Sequence, residues 1–322
     1  MLQNTPTTHS PGNRIAVIAN RKSGTNARDA DAIDRALKVF GGDRARLYRW
    51  APHQDIGELV ARARADGAGT VIAAGGDGTA TAVAGAALKH GCTFGALPLG
   101  TFNYFARGLG LPEDPAEAAR ALLAARPHAI RVGTVNGRLF LNNASLGIYP
   151  TILRQRETIY ARYGRYRMMA HWSVARTFLQ FQRPMHLTLE AEGRRITRRT
   201  PLLFVSRSAY QLDRFGLAGA AAISDDAFAV LIGRGETRAD LFRTAARLVT
   251  QTAVEGRDYD FLPARELIVR TLRKRTLVAY DGEKTHAPAP FRFRMSEVPL
   301  TVLLPDPTGA EREAKAEEKA RA

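Results

Sequence analysis

The chain has 322 residues, 45% of them hydrophobic and 24% charged, with a formal net charge of +16 and a single cysteine, Cys92. That length supplies core for one large or two ordinary domains, and a lone cysteine excludes an intrachain disulfide and fits a cytosolic setting. No run reaches the roughly 18 apolar residues of a membrane span, and the opening MLQNTPTTHSPGNR lacks the apolar stretch of a signal peptide, so neither is expected.

In chain order, residues 1–13 are polar and read as a disordered leader. Residues 14–19 (RIAVIA) read as the first core strand, running into the polar turn Asn20-Arg21-Lys22-Ser23-Gly24 and a helix over 27–40. A strand over 46–50 and a helix over 56–65 follow. The apolar run 70–74 (TVIAA) ends in Gly75-Gly76-Asp77-Gly78-Thr79 and a small-residue helix over 79–90. The run 93–97 (TFGAL) ends in Pro98-Leu99-Gly100-Thr101-Phe102-Asn103 and a further helix. Strands alternating with helices predict a parallel, doubly wound sheet, and this texture ends near Arg126-Pro127.

From there short strands are expected over 128–135, 138–144, 185–191, 194–200, 202–206, 228–233, 266–272, 276–280, 291–295 and 300–304. Asn136-Gly137 and Glu192-Gly193 read as hairpin turns. Helices over 151–181 and 238–250 interrupt a second domain that reads as a β-sandwich. The expected boundaries are 14–132 for the first domain and 133–298 for the second. The strand 299–305 is a candidate to return to the first domain, and 306–322 is an Ala-, Glu-, Lys- and Arg-rich tail.

The chemistry concentrates in the two glycine turns. A strand, a glycine turn and a helix N-terminus aim backbone N–H groups and the positive end of the helix dipole at one spot, which suits an anion. Neighbouring turns of this kind share the carboxyl edge of the sheet, where open α/β sheets bind ligands. Asp77 would repel bare phosphate and makes sense with Mg²⁺ between them, so the turns point to a nucleoside triphosphate with magnesium. Gly75, Gly76 and Gly78 allow close approach, and Thr79 is expected to cap the helix and donate to phosphate. The absence of a lysine excludes the Walker-type loop. Thr101 and Asn103 are expected to hydrogen-bond phosphate or ribose, while Phe102, Tyr104 and Phe105 read as packing residues. Near the C-terminus, Tyr280-Asp281-Gly282-Glu283-Lys284 places two carboxylates that share a face if the chain stays extended, suited to Mg²⁺ or to taking a proton. The competing local reading is an Asp-Gly hairpin turn.

GGDGT, PLGTFNYFARGLGLP, FLNNASLGIYP (140–150) and DGE, in that order, resemble the diacylglycerol kinase catalytic-domain family over residues 14–304, above all its soluble bacterial lipid kinases. Sphingosine and ceramide kinases are more distant. The resemblance implies an α/β plus β fold. Its N-terminal α/β domain is like that of NAD kinases and phosphofructokinases, its C-terminal domain is a β-sandwich, and ATP with Mg²⁺ lies in the cleft between them. It implies a nucleotide-binding turn at Asn20, Arg21, Lys22, Ser23 and Gly24. The main phosphate loop falls on Gly76, Asp77, Gly78, Thr79, Ala80, Thr81 and Ala82, and the second nucleotide turn on Thr101. Glu283 stands at the proton acceptor with Asp281 assisting, which makes Glu283, Asp281 and Asp77 the catalytic candidates. A structural Mg²⁺ is implied at Ile223, Asp226 and Phe228, through the carbonyls of the first and last and the side chain of Asp226. Arg21, Thr81-Ala82, Ala227 and Arg49 depart from the family's Pro, Asn-Glu, Gly and Thr.

The implied activity is transfer of the ATP γ-phosphate to a lipid hydroxyl, with diacylglycerol the first acceptor and phosphatidic acid the product. Monoacylglycerol, phosphatidylglycerol, sphingoid base and ceramide stay open. So do a NAD kinase-like enzyme and a non-catalytic basic module binding membrane or nucleic acid. The excess charge draws the chain to polyanions, or serves solubility alone. Arg154, Arg156, Arg162, Arg165, Arg167, Arg176 and Arg183, interleaved with aromatic residues, read equally as a membrane-surface helix or as a helix packed on the β-domain. The expected setting is cytoplasmic, peripheral to an anionic membrane, without nucleic acid and with a homodimer left open.

Overall fold

The computed structural model describes residues 14–20, 31–51, 54–153 and 183–305. The chain divides into two units, one made of residues through Ile130 together with those from Val298, the other of Arg131–Glu297. The turn residues Arg21, Lys22, Ser23 and Gly24, and the arginine- and aromatic-rich stretch up to 182, lie outside the described residues.

The first unit is built on β1 (Arg14–Asn20), β2 (Ala45–Trp50), β3 (Ala68–Gly75), β4 (Thr93–Pro98), β5 (Arg126–Ile130) and β18 (Leu300–Leu304). Their order in the sheet is β2-β1-β3-β4-β18-β5. The pairs from β2 to β18 are parallel, and β5 runs antiparallel to β18. The central strands are near-continuous apolar runs because helices cover both faces: Ala16–Ala19 and Val71–Ala74 are at most 1% exposed. Those helices are α1 (Ala32–Phe40), α2 (Ile56–Ala65), α3 (Asp77–His90), α4 (Tyr104–Gly108) and α5 (Pro115–Ala124). β2 is added on one side of β1 and β3 and β4 on the other, so right-handed crossovers put α1 on the face opposite α2 and α3. Accordingly α1 packs with α5, and α2 with α3. The helix α5 starts on an Asp114 cap, whose Oδ1 accepts from the N–H groups of Ala116 and Glu117, followed by Pro115 at its first position.

The second unit holds two antiparallel six-stranded sheets among the described residues. One runs β10 (Arg194–Thr200), β9 (Met185–Ala191), β14 (Glu266–Thr271), β17 (Phe291–Met295), β6 (Gly133–Val135), β7 (Arg138–Phe140). The other runs β13 (Tyr259–Ala264), β12 (Phe228–Gly233), β11 (Leu202–Ser206), β8 (Asn143–Gly147), β15 (Arg275–Tyr280), β16 (Glu283–Pro288). Their inner faces share one core that includes Phe140, Phe228, Phe291, Phe293, Leu146, Leu189, Leu203 and Leu267, which makes a sandwich. In β17 the alternation is direct: Phe291 and Phe293 are buried, Arg292 and Arg294 exposed.

Several expected strands are divided. The run 128–135 is two strands, β5 in the first unit and β6 in the second. The run 138–144 breaks at Leu141-Asn142 into β7 and β8, which belong to different sheets. The strands β13 and β16, the helix α5 and the helices Ala209–Arg214 and Ala220–Ser224 are additional to the expected set. Asn136-Gly137 (φ 49° and 78°) and Glu192-Gly193 (φ 47° and 73°) form two-residue hairpin turns, both residues left-handed as type I′ requires. Among the described residues no helix is long and apolar enough to cross a membrane.

The contribution of β18 to the first sheet is testable at Leu300, which is fully buried. Leu300→Ala should destabilise the protein by about 3 kcal/mol in chemical denaturation, the ordinary cost of a core Leu truncation. A loss of a few tenths would mean that this strand is dispensable.

Candidate active site

The two glycine turns leave adjacent strands at the same edge, because β3 and β4 are parallel and in register with Gly75 opposite Pro98. They interlock. The Leu99 N–H donates to the Gly75 carbonyl at 3.0 Å. A Cβ on Gly100 would lie 2.3 Å from the Gly76 Cα and 2.6 Å from Asn103 Oδ1, so only glycine fits there. A Cβ on Gly75 would lie 2.6 Å from Thr79 Oγ1. Asp77 ties the turns again: its Oδ1 accepts the Phe105 N–H at 3.1 Å and so caps α4 from the neighbouring turn.

This geometry revises three expectations. Thr79 is not the cap of α3; that position is Gly76 (φ −90°, ψ −175°), with no side-chain cap, and Thr79 is buried against Gly75. The Asn103 amide is not turned to a ligand. It holds φ 54°, accepts the Gly100 N–H at 2.7 Å, and donates to the carbonyls of Pro98 at 3.0 Å and Gly100 at 3.1 Å. Phe102 is not a packing residue; it is 48% exposed and stacked on Tyr104 at 5.5 Å between centroids, whereas Phe105 is buried against Phe94.

Around this edge, Thr101 is exposed on the second turn, Gly78 is half-buried in the first turn of α3, and Asn20 ends β1 opposite Trp50. Ala80 faces the core and Thr81 and Ala82 are half-buried one turn along α3. The reversal of strand order between β1 and β3 is a topological switch point, the place where open α/β sheets bind ligands. The N-terminus of α3, whose cap residue Gly76 has no side chain to place there, lies at that point, and a helix N-terminus suits an anion through its backbone N–H groups and positive dipole end. Among the described residues no three His, Cys, Asp or Glu side chains gather as a metal site. A Mg²⁺ arriving on phosphate needs no such cage, since it takes one or two carboxylates with the phosphate oxygens, and Asp77 suits that chemistry.

The second unit carries the other carboxylates. The expected extended Asp281–Glu283 pair is instead a two-residue hairpin turn, Asp281 at φ 44° and Gly282 at φ 87°, with Tyr280 paired to Glu283 across β15 and β16. The two carboxylates therefore part company. Asp281 is 6% exposed, and its carboxylate accepts N–H groups from Leu141 at 2.5 Å, Asn142 at 2.8 Å and Asn143 at 3.0 Å. Its own N–H donates to the Asn143 carbonyl at 3.0 Å. Asp281 is thus an anchor that stitches the hairpin to the chain between β7 and β8, and not an open second carboxylate. Glu283 is exposed at the start of β16.

Beneath this turn lies a buried polar layer that local sequence reading misses. Asn143 Nδ2 donates to Gln211 Oε1 at 2.9 Å, and Ser206 Oγ and the Arg207 N–H reach the Asn142 carbonyl. Among the described residues, Asn143 Oδ1 and Ser145 Oγ are buried without a hydrogen-bond partner. Consecutive asparagines inside the apolar run FLNNASLG are the one local signal of this layer. The segment expected to hold a structural Mg²⁺ is also differently employed: the Ile223 carbonyl and the Asp226 carboxylate both accept from the Arg207 guanidinium, and Phe228 enters β12 as a fully buried side chain. Burial pulls the Arg207 pKa down while Asp226 holds it up.

Residues 14–135 match the sequence profile described as "Diacylglycerol kinase catalytic domain". A "Probable lipid kinase YegS-like" of Pseudomonas aeruginosa (strain UCBPP-PA14) is 48% identical over 137 residues, 42% of this chain and 44% of that protein. The chain thus spans less than half the length of that relative. A "Diacylglycerol kinase" of Bacillus subtilis (strain 168) is 29% identical over 220 residues, 66% of this chain and 70% of that protein. A crystal structure of a diacylglycerol kinase from Bacillus anthracis superposes with a TM-score of 0.62 at 16% identity, over 93% of this chain and 99% of that one, a likeness of fold.

Asp281→Asn places an amide N–H₂ among three backbone donors. It should destabilise the second unit by roughly 3 kcal/mol in a denaturant titration. An unchanged midpoint would show that the anchor is not needed.

Proposed function

We propose that this chain, which through residues 14–135 belongs to the diacylglycerol kinase catalytic-domain family, is a lipid kinase that moves the γ-phosphate of ATP to a lipid hydroxyl, diacylglycerol first among acceptors. The observation that carries the reading is the interlock of two glycine turns at the switch point of the sheet, around the α3 N-terminus and Asp77. The names of the Pseudomonas aeruginosa and Bacillus subtilis relatives support a lipid acceptor.

In this reading the backbone N–H groups at the start of α3 hold the nucleotide phosphates, and exposed Thr101 contributes a hydroxyl to the nucleotide. Asp77 is the carboxylate that would hold a Mg²⁺ entering with ATP, an ion that would supply charge neutralisation at the phosphates. Glu283 accepts the proton of the lipid hydroxyl as its oxygen forms the new bond to the γ-phosphorus and the bond to the β-phosphate oxygen breaks, releasing ADP. Asp281 does not touch the reacting atoms; it fixes the turn from which Glu283 extends.

The test is transfer of labelled γ-phosphate from ATP with Mg²⁺ to a panel of lipids in mixed micelles. Glu283→Gln should lower kcat on the labelled lipid by about 10²–10⁴-fold while leaving nucleotide affinity within a few-fold. Labelling of NAD in place of lipid, or full activity in the variant, would overturn the reading.

A lipid acceptor must be met at a membrane. The net charge of +16 supports docking on an anionic surface, as do Arg195 and Arg292, exposed on the outer face of the β10-β9-β14-β17 sheet, where Arg199, Arg270 and Arg294 are paired with Glu236, Glu190 and Glu266. Sedimentation with phosphatidylglycerol vesicles should fall steeply with added salt, and Arg195→Glu with Arg292→Glu should weaken it at low salt. Binding that ignores both would remove electrostatic docking on this face.

A further inference from the structure

The segment after the helix Ala220–Ser224 turns sharply at Asp226 (φ 57°) before entering β12. A left-handed non-glycine residue is uncommon and is retained where its surroundings fix it. Here the fixing group is Arg207, which leaves β11 with its side chain only 11% exposed. Its Nη1 donates to the Ile223 carbonyl at 3.0 Å and its Nη2 to Asp226 Oδ1 at 2.5 Å. Its Nε and Nη2 also reach the Arg131 carbonyl at 3.3 and 3.1 Å. Arg131 brings a second guanidinium to within 3.7 Å of Asp226 Oδ2, and Arg265 Nη2 lies 3.5 Å from the Asp225 carbonyl.

Carbonyl and carboxylate oxygens facing one point are the donor set of a hard cation such as Mg²⁺. In this chain they face a guanidinium, which satisfies the same oxygens with directed N–H groups. A divalent ion would have to take the Ile223 carbonyl and the Asp226 carboxylate at about 2.1 Å each. The Arg207 nitrogens already hydrogen-bonded to both would then be pressed against a double positive charge. The residues present therefore do not fit a resident metal. We infer that Arg207 is the resident cation of the 223–228 segment, a built-in replacement for a structural divalent metal, and that this segment holds none. The inference stands on the second unit alone and does not depend on the kinase reading. The consequence reaches the Glu283 hairpin, because the Arg207 N–H also donates to the Asn142 carbonyl at 2.7 Å, and the Asn142 N–H is one of the three that hold Asp281.

The experiment is thermal unfolding of the full chain without nucleotide, in EDTA and in millimolar Mg²⁺, for the wild type, Arg207→Ala, Arg207→Lys and Asp226→Asn. The expected result is one wild-type Tm in both buffers, a fall of roughly 5 °C in Arg207→Ala, and partial recovery in Arg207→Lys. An EDTA-induced fall of the wild-type Tm that Mg²⁺ restores and Asp226→Asn abolishes would overturn the inference. So would an Arg207→Ala Tm equal to the wild type. Should Arg207→Ala fail to fold, Mn²⁺ titrated into nucleotide-free wild type and Asp226→Asn, followed by water-proton relaxation, decides. Equal binding upholds the inference; a site present in the wild type and lost in Asp226→Asn overturns it.

Discussion

The second unit depends on one buried carboxylate. Asp281 gathers three consecutive backbone N–H groups, from Leu141 and Asn142 between β7 and β8 and from Asn143 at the start of β8. They lie where the chain leaves one sheet of the sandwich for the other. A buried N–H without a partner is costly, and a neutral acceptor would satisfy it less strongly than a carboxylate. The same residue supplies the first left-handed position of the β15–β16 turn. One side chain therefore solves the crossing between sheets and fixes the exit of β16, and with it the position of Glu283. The three donors together offset the cost of burying the charge.

The first unit solves a comparable problem with small residues. Two turns at adjacent strand ends can stay close only if neither carries a side chain where they touch, and Gly76 and Gly100 meet there with no room for a Cβ. Asn103 closes the second turn with its own amide, and Asp77 bonds across to α4. The result is a rigid edge whose shape is set before any ligand arrives. Preorganisation of this kind lets hydrogen-bond donors act on a charged group without first being reoriented.

What the sequence made legible follows from how local each signal is. The strands β1, β3 and β4 are buried on both faces and so stand out as continuous apolar runs ending in glycine turns. The strand β16 (EKTHAP) is a polar edge strand with no buried alternation, and β13 carries Pro263, tolerated because it is also an edge. Neither presents the pattern of a strand to a reader of the sequence. The helix α5 did carry an Asp-Pro start in Asp114-Pro115, a cue outweighed by the glycine turns upstream. Roles made by distant partners were hidden. Asp281 meets Leu141 across 140 positions, and nothing near DGE in the sequence says whether its aspartate faces solvent or backbone. Arg207, with no motif around it, became visible only when Ile223 and Asp226 were seen to converge on it.

The place of β18 has a consequence for how the molecule comes into being. This strand lies between β4 and β5, and among the described residues β5 has no other neighbour in the sheet. During translation the ribosome delivers β4 and β5 and then the whole of Arg131–Glu297 before it reaches Leu300–Leu304. Through that interval the nascent first unit presents β4 as a bare edge, of the kind that invites pairing with other chains. Domains that emerge first generally fold first, but here the first unit completes its sheet only after the residues of the second have been made.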